Sequence, residues 1–266
     1  MSKEVQKKTT NNSLTTYTPD ESLLNMAPKL SSEHLRLKKI KIHQATTMGR
    51  QGMLGDIYVT PDMTTLSTLG EKVVFYPLTY RLSWFHNAKG PKDQKPKPTG
   101  VTPWKSANQY QWEEVDSDGT VKRNYQTAVF YGLLESDFGK ENVTPVQIVL
   151  SSTSFSAAAL PLMNRYDEIK RHGVEPWLMK FTLHSEQSKK GAWYVFNIAP
   201  VSTKDGQARA EQDKWSVIRE WTKTLLNAQN TGALETSSEE ISQDIEESTT
   251  TNVPRGTPLP EDQLEY

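Results

Sequence analysis

Rings and cations alternate along this chain at spacings that suit one kind of chemistry, the binding of a single-stranded polyanion. Tyr80 and Arg81 precede Trp84, Phe85 and His86, and Trp104 abuts Lys105. Tyr110 and Trp112 lead to Lys122, Arg123 and Tyr125, while Lys189 and Lys190 lead to Trp193 and Tyr194. A flat ring offers a face on which any base can stack, and a nearby ammonium or guanidinium neutralises the adjoining phosphate. Residues 35–42, LRLKKIKI, add Lys38, Lys39 and Lys41 on a basic strand face, and residues 87–105 carry Lys89, Lys92, Lys95, Lys97 and Lys105. Lys180 stands on the polar side of PWLMKFTLH. A plain amphipathic strand, with rings in a core and lysines in water, gives the same pattern, and spacing alone leaves both readings open.

Catalytic chemistry finds no comparable pattern. His34, His43, His86, His172 and His184 are scattered without metal-ligand spacing, and the absence of cysteine excludes thiolate zinc sites and disulfides. The serines near residue 152 lack the strand-turn-helix elbow of a nucleophile. Asp116 and Asp118 read as turn formers rather than a calcium loop, and Glu135 and Asp137 lack partners for a metal-dependent nuclease. The expectation is a protein that is not an enzyme and needs no metal or cofactor.

The elements that must position these side chains read as mainly β. Residues 176–201 form two alternating runs around the polar loop SEQSKKG, which predicts a hairpin with Trp177, Met179, Phe181 and Leu183 on one face. Strands are also expected at residues 35–42 (with a bulge at Lys38 and Lys39), 56–60, 72–87, 127–134 and 146–150. Pro77 marks a break in the longest of them. Residues 116–119, DSDG, predict a hairpin turn. Four prolines and two glycines within residues 87–105 predict a long cationic loop. Phe155, Ala159, Leu162, Tyr166 and Ile169 recur at helical spacing, with serines before to cap and Gly173 to end the helix, and Pro161 implies a kink or restart. A second helix is expected over residues 204–227, with Trp215, Ile218, Trp221 and Leu225 packing on the sheet.

Charge divides the chain more sharply than its net −1 implies. Residues 231–266 hold nine acidic side chains against Arg255 alone, a net −8 that leaves +7 on residues 1–230. The expected organisation is a flexible arm over 1–32, a folded domain over 33–228 and a disordered acidic tail over 229–266. A basic body is fit to meet a polyanion, and an acidic tail can compete for the same surface. No apolar run approaches a membrane span, and the N-terminal residues lack the apolar segment of a signal peptide.

The combination of FYPLTYRLSWFH, YQTAVFYGLL, PVQIVLSSTSFSAAALPLMNRY, EPWLMKFTLHSEQSKKGAWYVFNIAPV and a tail ending EDQLEY resembles phage-encoded single-stranded DNA-binding proteins of the podovirus type. The resemblance spans roughly residues 35–226 and, in kind, the tail. It implies an oligonucleotide-binding fold: a five-stranded barrel with inserted loops and hairpins, one helix between strands 3 and 4, a C-terminal helix and the acidic tail. It implies a protein that coats single-stranded DNA during replication and recombination in the cytoplasm of an infected bacterial host. It further implies that Glu261, Asp262, Leu264, Glu265 and Tyr266 recruit replication partners. Some such proteins carry a cysteine zinc site, which this chain lacks. Two rivals share the sequence features: an interaction protein that contacts a polymerase through its tail, and a structural phage protein containing such a barrel.

Overall fold

The run TAVFYGLL is apolar almost throughout because both faces of its strand are covered. Ala128, Phe130 and Leu134 enter one core, with Ile40, Ile42, Ile148 and Phe181. Val129, Tyr131 and Leu133 enter another on the opposite face, with Tyr76, Leu78, Ile218 and Leu225. Alternation with period two therefore survives, but both registers read as apolar. The computed structural model describes residues 37–44, 53–92, 97–104, 110–188, 193–204 and 206–234. The arm over 1–32 and the tail residues 235–266 lie outside them.

The strands are β1 (Lys38–Ile42), β2 (Ile57–Thr60), β3 (Thr64–Ser67), β4 (Val73–Lys89), β5 (Lys97–Pro103), β6 (Glu113–Val115), β7 (Val121–Leu134), β8 (Val146–Ser151), β9 (Phe181–Gln187), β10 (Tyr194–Pro200), β11 (Ser202–Thr203) and β12 (Gly206–Gln207). The long helices are α1 (Leu160–Arg171) and α2 (Trp215–Asn230). Ten strands form one mixed, curled sheet in the order β10-β9-β4-β7-β8-β1-β2-β3, with β5 on β4 and β6 on β7. Among the described residues only the β1–β8 pairing is parallel. The sheet is thus larger than the five strands expected, because β1–β3 extend one side and β5 and β6 extend the middle. Just beyond β1, the Gln44 side chain donates to the Tyr194 carbonyl at 2.8 Å and accepts from the Tyr194 N–H at 2.9 Å, tying that end of β1 to the start of β10.

Several local expectations change for identifiable reasons. Residues 97–103 are a strand, not part of a cationic loop. β5 pairs only with β4, and an edge strand tolerates Pro98 and Pro103 because the missing N–H groups can face away from the ladder. No bulge is needed at Lys38: Leu37 packs on the second core while Ile40 and Ile42 enter the first. Residues 176–178 form a 3₁₀ turn, so Trp177 and Leu178 are both buried rather than alternating. Pro77 does coincide with a register shift between Pro77 and Thr79.

The helix before β9 opens at Ser152, and no serine side chain caps it. It widens to a π-helical turn at Phe155–Ala159, directly before Pro161, which has no N–H to donate to the preceding turn. Gly173, at φ 69°, closes it; Val174 N–H donates to the Ile169 carbonyl in the reversed turn that glycine permits. α2 begins later than expected, at Trp215, because β11 and β12 pair with each other and Ala208–Ala210 run beside residues 178–180. Its stripe packs as expected, with Ile218 and Leu225 fully buried.

Candidate nucleic-acid interface

β4 and β7 outrun the rest of the sheet. β9 pairs only with Val73 to Phe75 of β4, and β8 pairs only with Thr127 to Gly132 of β7. Beyond those contacts, Trp84 to Lys89 and Val121 to Gln126 face each other and continue as a ribbon, flanked by β5 and β6. The expected turn of residues 116–119 joins β6 to β7. Gly119 N–H donates to the Asp116 carbonyl at 2.9 Å, and Gly119 takes φ 82°, which a side chain would resist.

Cross-strand register sorts the ribbon's side chains onto two faces. One face holds Trp84, opposite Thr102 and Gln126, and His86, opposite Gly100 and Asn124. Trp104 stacks on Trp84, with centroids 5.2 Å apart and planes 19° from parallel, and Tyr110 meets both Trp84 and His86 edge-on. His86 is fixed by contacts of 2.8 Å to Asn124 Oδ1 and 2.9 Å to Thr102 Oγ1. The other face holds Phe85 and Tyr125 over Val101, a small core that stiffens the ribbon. Trp112 packs edge-on against Tyr125, with centroids 4.6 Å apart. Trp104 is 39% exposed and Trp112 54%, the exposure a stacking ring needs. Burial pushes the Tyr125 hydroxyl pKa up, against the pull of neighbouring Arg123.

Lys89, Lys92 and Lys97 lie exposed at the ribbon's end and form no ion pair among the described residues. Lys122 and Arg123 are nearby but occupied: Lys122 pairs with Asp116 at 2.8 Å, and Arg123 Nε donates to Glu113 at 2.8 Å. These contacts raise both pKa values, so the cations stay charged and could exchange a carboxylate for a phosphate. Lys95 and Lys105 lie outside the described residues.

The remaining expected binding residues are elsewhere. Tyr80 is a helix anchor: its hydroxyl donates to Asp167 at 3.0 Å, its ring packs on Phe130 and Tyr166, and burial first, then Asp167, pushes its pKa up. Arg81 Nη1 reaches the Leu234 carbonyl at 3.4 Å. Lys180 lies in an ion-pair network, 2.7 Å from Glu135 and 2.6 Å from Glu211. Lys38 pairs with Asp62 at 2.8 Å, and Lys39 and Lys41 line the β1–β10 seam with Gln44 and Tyr194. Tyr194 packs on the first core and fills the space a side chain at Gly55 would need, and half-buried Trp193 precedes it. Lys189 and Lys190, and the tail residues Glu261, Asp262, Leu264, Glu265 and Tyr266, lie outside the described residues.

Glu135 and Asp137 are also engaged. Glu135 accepts from Tyr76, Lys180 and Lys214, and Asp137 pairs with Lys140. Among the described residues no three His, Asp or Glu side chains cluster to hold a metal, and no helix is long and apolar enough to cross a membrane. Sequence reasoning missed Asn87 and Asn124, polar residues inside the ribbon; only their place amid alternating rings could have marked them. No protein-family model, curated protein or solved structure matches this chain.

Proposed function

We propose that this protein binds single-stranded DNA through the β4–β7 ribbon and coats exposed strands during phage replication and recombination. The observation that carries this reading is the stacked pair Trp84 and Trp104, with Trp104 partly open to solvent and unpaired lysines on the same ribbon. Base stacking tolerates any sequence, and the lysines supply the phosphate term. The connectivity supports it too. β4, β7 and β8 form an antiparallel meander, the helix follows, and the β9–β10 hairpin returns with β9 on β4. That is the arrangement expected of an oligonucleotide-binding barrel, with β1 lying parallel to β8 at its closing seam. Such folds grip nucleic acid with the loops joining strands 1 to 2 and 4 to 5. Here the first of these is the connection from β4 to β7, which carries β5, β6, Trp104 and Trp112. We further propose that the acidic segment over residues 235–266 recruits replication proteins.

A fluorescent oligo-dT strand titrated with the full-length protein at several salt concentrations tests this. Binding should weaken steadily as salt rises. Trp104→Ala should lose about 1–3 kcal/mol of affinity with little change in stability, because a half-exposed ring contributes little to the core. A protein that leaves oligo-dT unbound at physiological salt would refute the reading.

A further inference from the structure

A polar row crosses the ribbon beside its stacked rings. Asn124 on β7, His86 on β4 and Thr102 on β5 share the face that carries Trp84, since Asn124 opposes His86 and Thr102 opposes Trp84. The proton directions along this row follow from its chemistry. The Asn124 amide nitrogen donates to the Gln111 carbonyl at 2.7 Å, and a carbonyl can only accept. The amide oxygen therefore faces His86 Nδ1 at 2.8 Å, so that ring nitrogen carries the proton. In the neutral ring Nε2 then accepts from the Thr102 hydroxyl at 2.9 Å. The four groups form one chain of hydrogen bonds running in a single direction, in which each bond polarises the next.

The row ends on a connection that carries two rings. Gln111 lies between Tyr110 and Trp112, and Asn124 grips it twice, through the side-chain bond to the Gln111 carbonyl and a backbone bond to the Trp112 carbonyl at 3.0 Å. Tyr110 meets His86 and Trp84 edge-on, with centroids 4.7 and 5.4 Å away, and Trp112 is 54% exposed. Asparagine is a poor strand residue, yet Asn124 sits buried inside β7. The ribbon's small core of Phe85, Tyr125 and Val101 lies on the opposite face, so the amide serves the connection rather than that core. We propose that Asn124 is a positioning residue for single-strand binding: by fixing the Gln111 carbonyl it presets the Tyr110 and Trp112 rings before a base arrives. This deepens the single-strand-binding reading and rests on it. Asn124 acts without touching the strand. A ring already held in the free protein loses little further freedom on binding, whereas a loose one gives up affinity when it is ordered.

The test uses Asn124→Leu in the full-length protein, a change of similar size that removes the hydrogen bonds and alters no charge. Its affinity for oligo-dT should fall about 10-fold, the cost of ordering two rings. The slope of log affinity against log salt should stay the same, because no phosphate contact is lost. In a Tyr110→Ala, Trp112→Ala background the same change should have no further effect, since Asn124 acts through those rings. An equal loss in both backgrounds, or no loss in the otherwise wild-type chain, overturns the proposal. A measurement on wild type alone covers a variant that fails to fold. In the DNA-free protein the Gln111 backbone amide should be as rigid as the strands, with an NMR order parameter of about 0.85, and a value below about 0.6 would overturn the presetting. Failure of wild type to bind oligo-dT overturns the underlying reading instead.

Discussion

Individual positions in this chain are specified by space as much as by chemistry. Gly132 sits on β7 opposite Pro77, and a Cβ there would collide with the Tyr76 carbonyl and the Phe75 ring. Its backbone dihedrals are not the constraint; the Phe75 ring occupies the volume a side chain would take. Gly132→Ala should therefore cost at least the roughly 1–3 kcal/mol of an overpacked core, read as a fall in the urea midpoint at unchanged slope. An unchanged midpoint would mean that β4 can move aside at its bulge. The same residue scale explains what the sequence could and could not show of the site. Trp84, Trp104, Tyr110, Trp112 and Tyr125 were legible as a group, and the ribbon does bring them together. Tyr80, Phe85 and Tyr194 have the same side-chain chemistry but are absorbed by packing, because strand alternation cannot say which face a helix or loop will cover. Lys180 was unreadable for a related reason: Glu135, Glu211 and Lys214, its ion-pair network, are distant in sequence.

At the scale of elements, that network fastens the start of α2 to the strands. Lys180 precedes β9, Lys214 precedes α2, and both bridge Glu135 at the end of β7 to Glu211. Contacts from Lys180 and then Lys214 hold the Glu211 carboxyl down to about 2, from an ordinary 4.5. Burial opposes ionisation of Glu135, yet Lys180, Tyr76 and Lys214 together still keep it below its usual value. A carboxylate depressed in the folded state contributes stability that is fully present above about pH 4.5 and is lost as the pH falls toward 2. Wild type should accordingly exceed Glu211→Gln in urea midpoint by a constant margin at neutral pH, and that margin should close between pH 4.5 and 2. A margin independent of pH would show that it does not come from the charge on Glu211. The secondary structure that builds these elements was largely readable from alternation and helical spacing. What failed was composition used against topology: the proline-rich residues 97–103 read as loop, although an edge strand accepts them. α2 starts later than its sequence pattern suggests because polar residues 204–211 resemble a helical lead-in, whereas the β11–β12 pairing takes up part of that stretch.

The whole molecule separates charge in a way that makes binding and regulation one problem. Residues 235–266 carry all the net −8 of the C-terminal stretch and leave +7 on the rest. Their point of departure is fixed: Leu234 is buried in the second core, and its carbonyl accepts from Tyr131 at 3.2 Å and from Arg81 at 3.4 Å. Arg81 lies three residues before Trp84 on β4, about 10 Å along the strand. The acidic segment thus starts within about one Debye length, near 10 Å at 0.1 M salt, of the ribbon's rings. A truncation after Leu234 keeps that anchor, whereas one at Asn230 would strip a core residue and confuse stability with binding. Protein ending at Leu234 should bind oligo-dT about tenfold more tightly than the full chain at low salt, which corresponds to about 1.4 kcal/mol. The two affinities should converge toward 1 M salt, where the Debye length falls to about 3 Å and the tail's field no longer reaches the lysines. The measured quantity is the slope of log affinity against log salt for both proteins. Removing the competitor should steepen it, because phosphates then displace solvent counterions rather than the chain's own carboxylates. Identical slopes would mean that the acidic segment leaves the ribbon alone and serves its partners only.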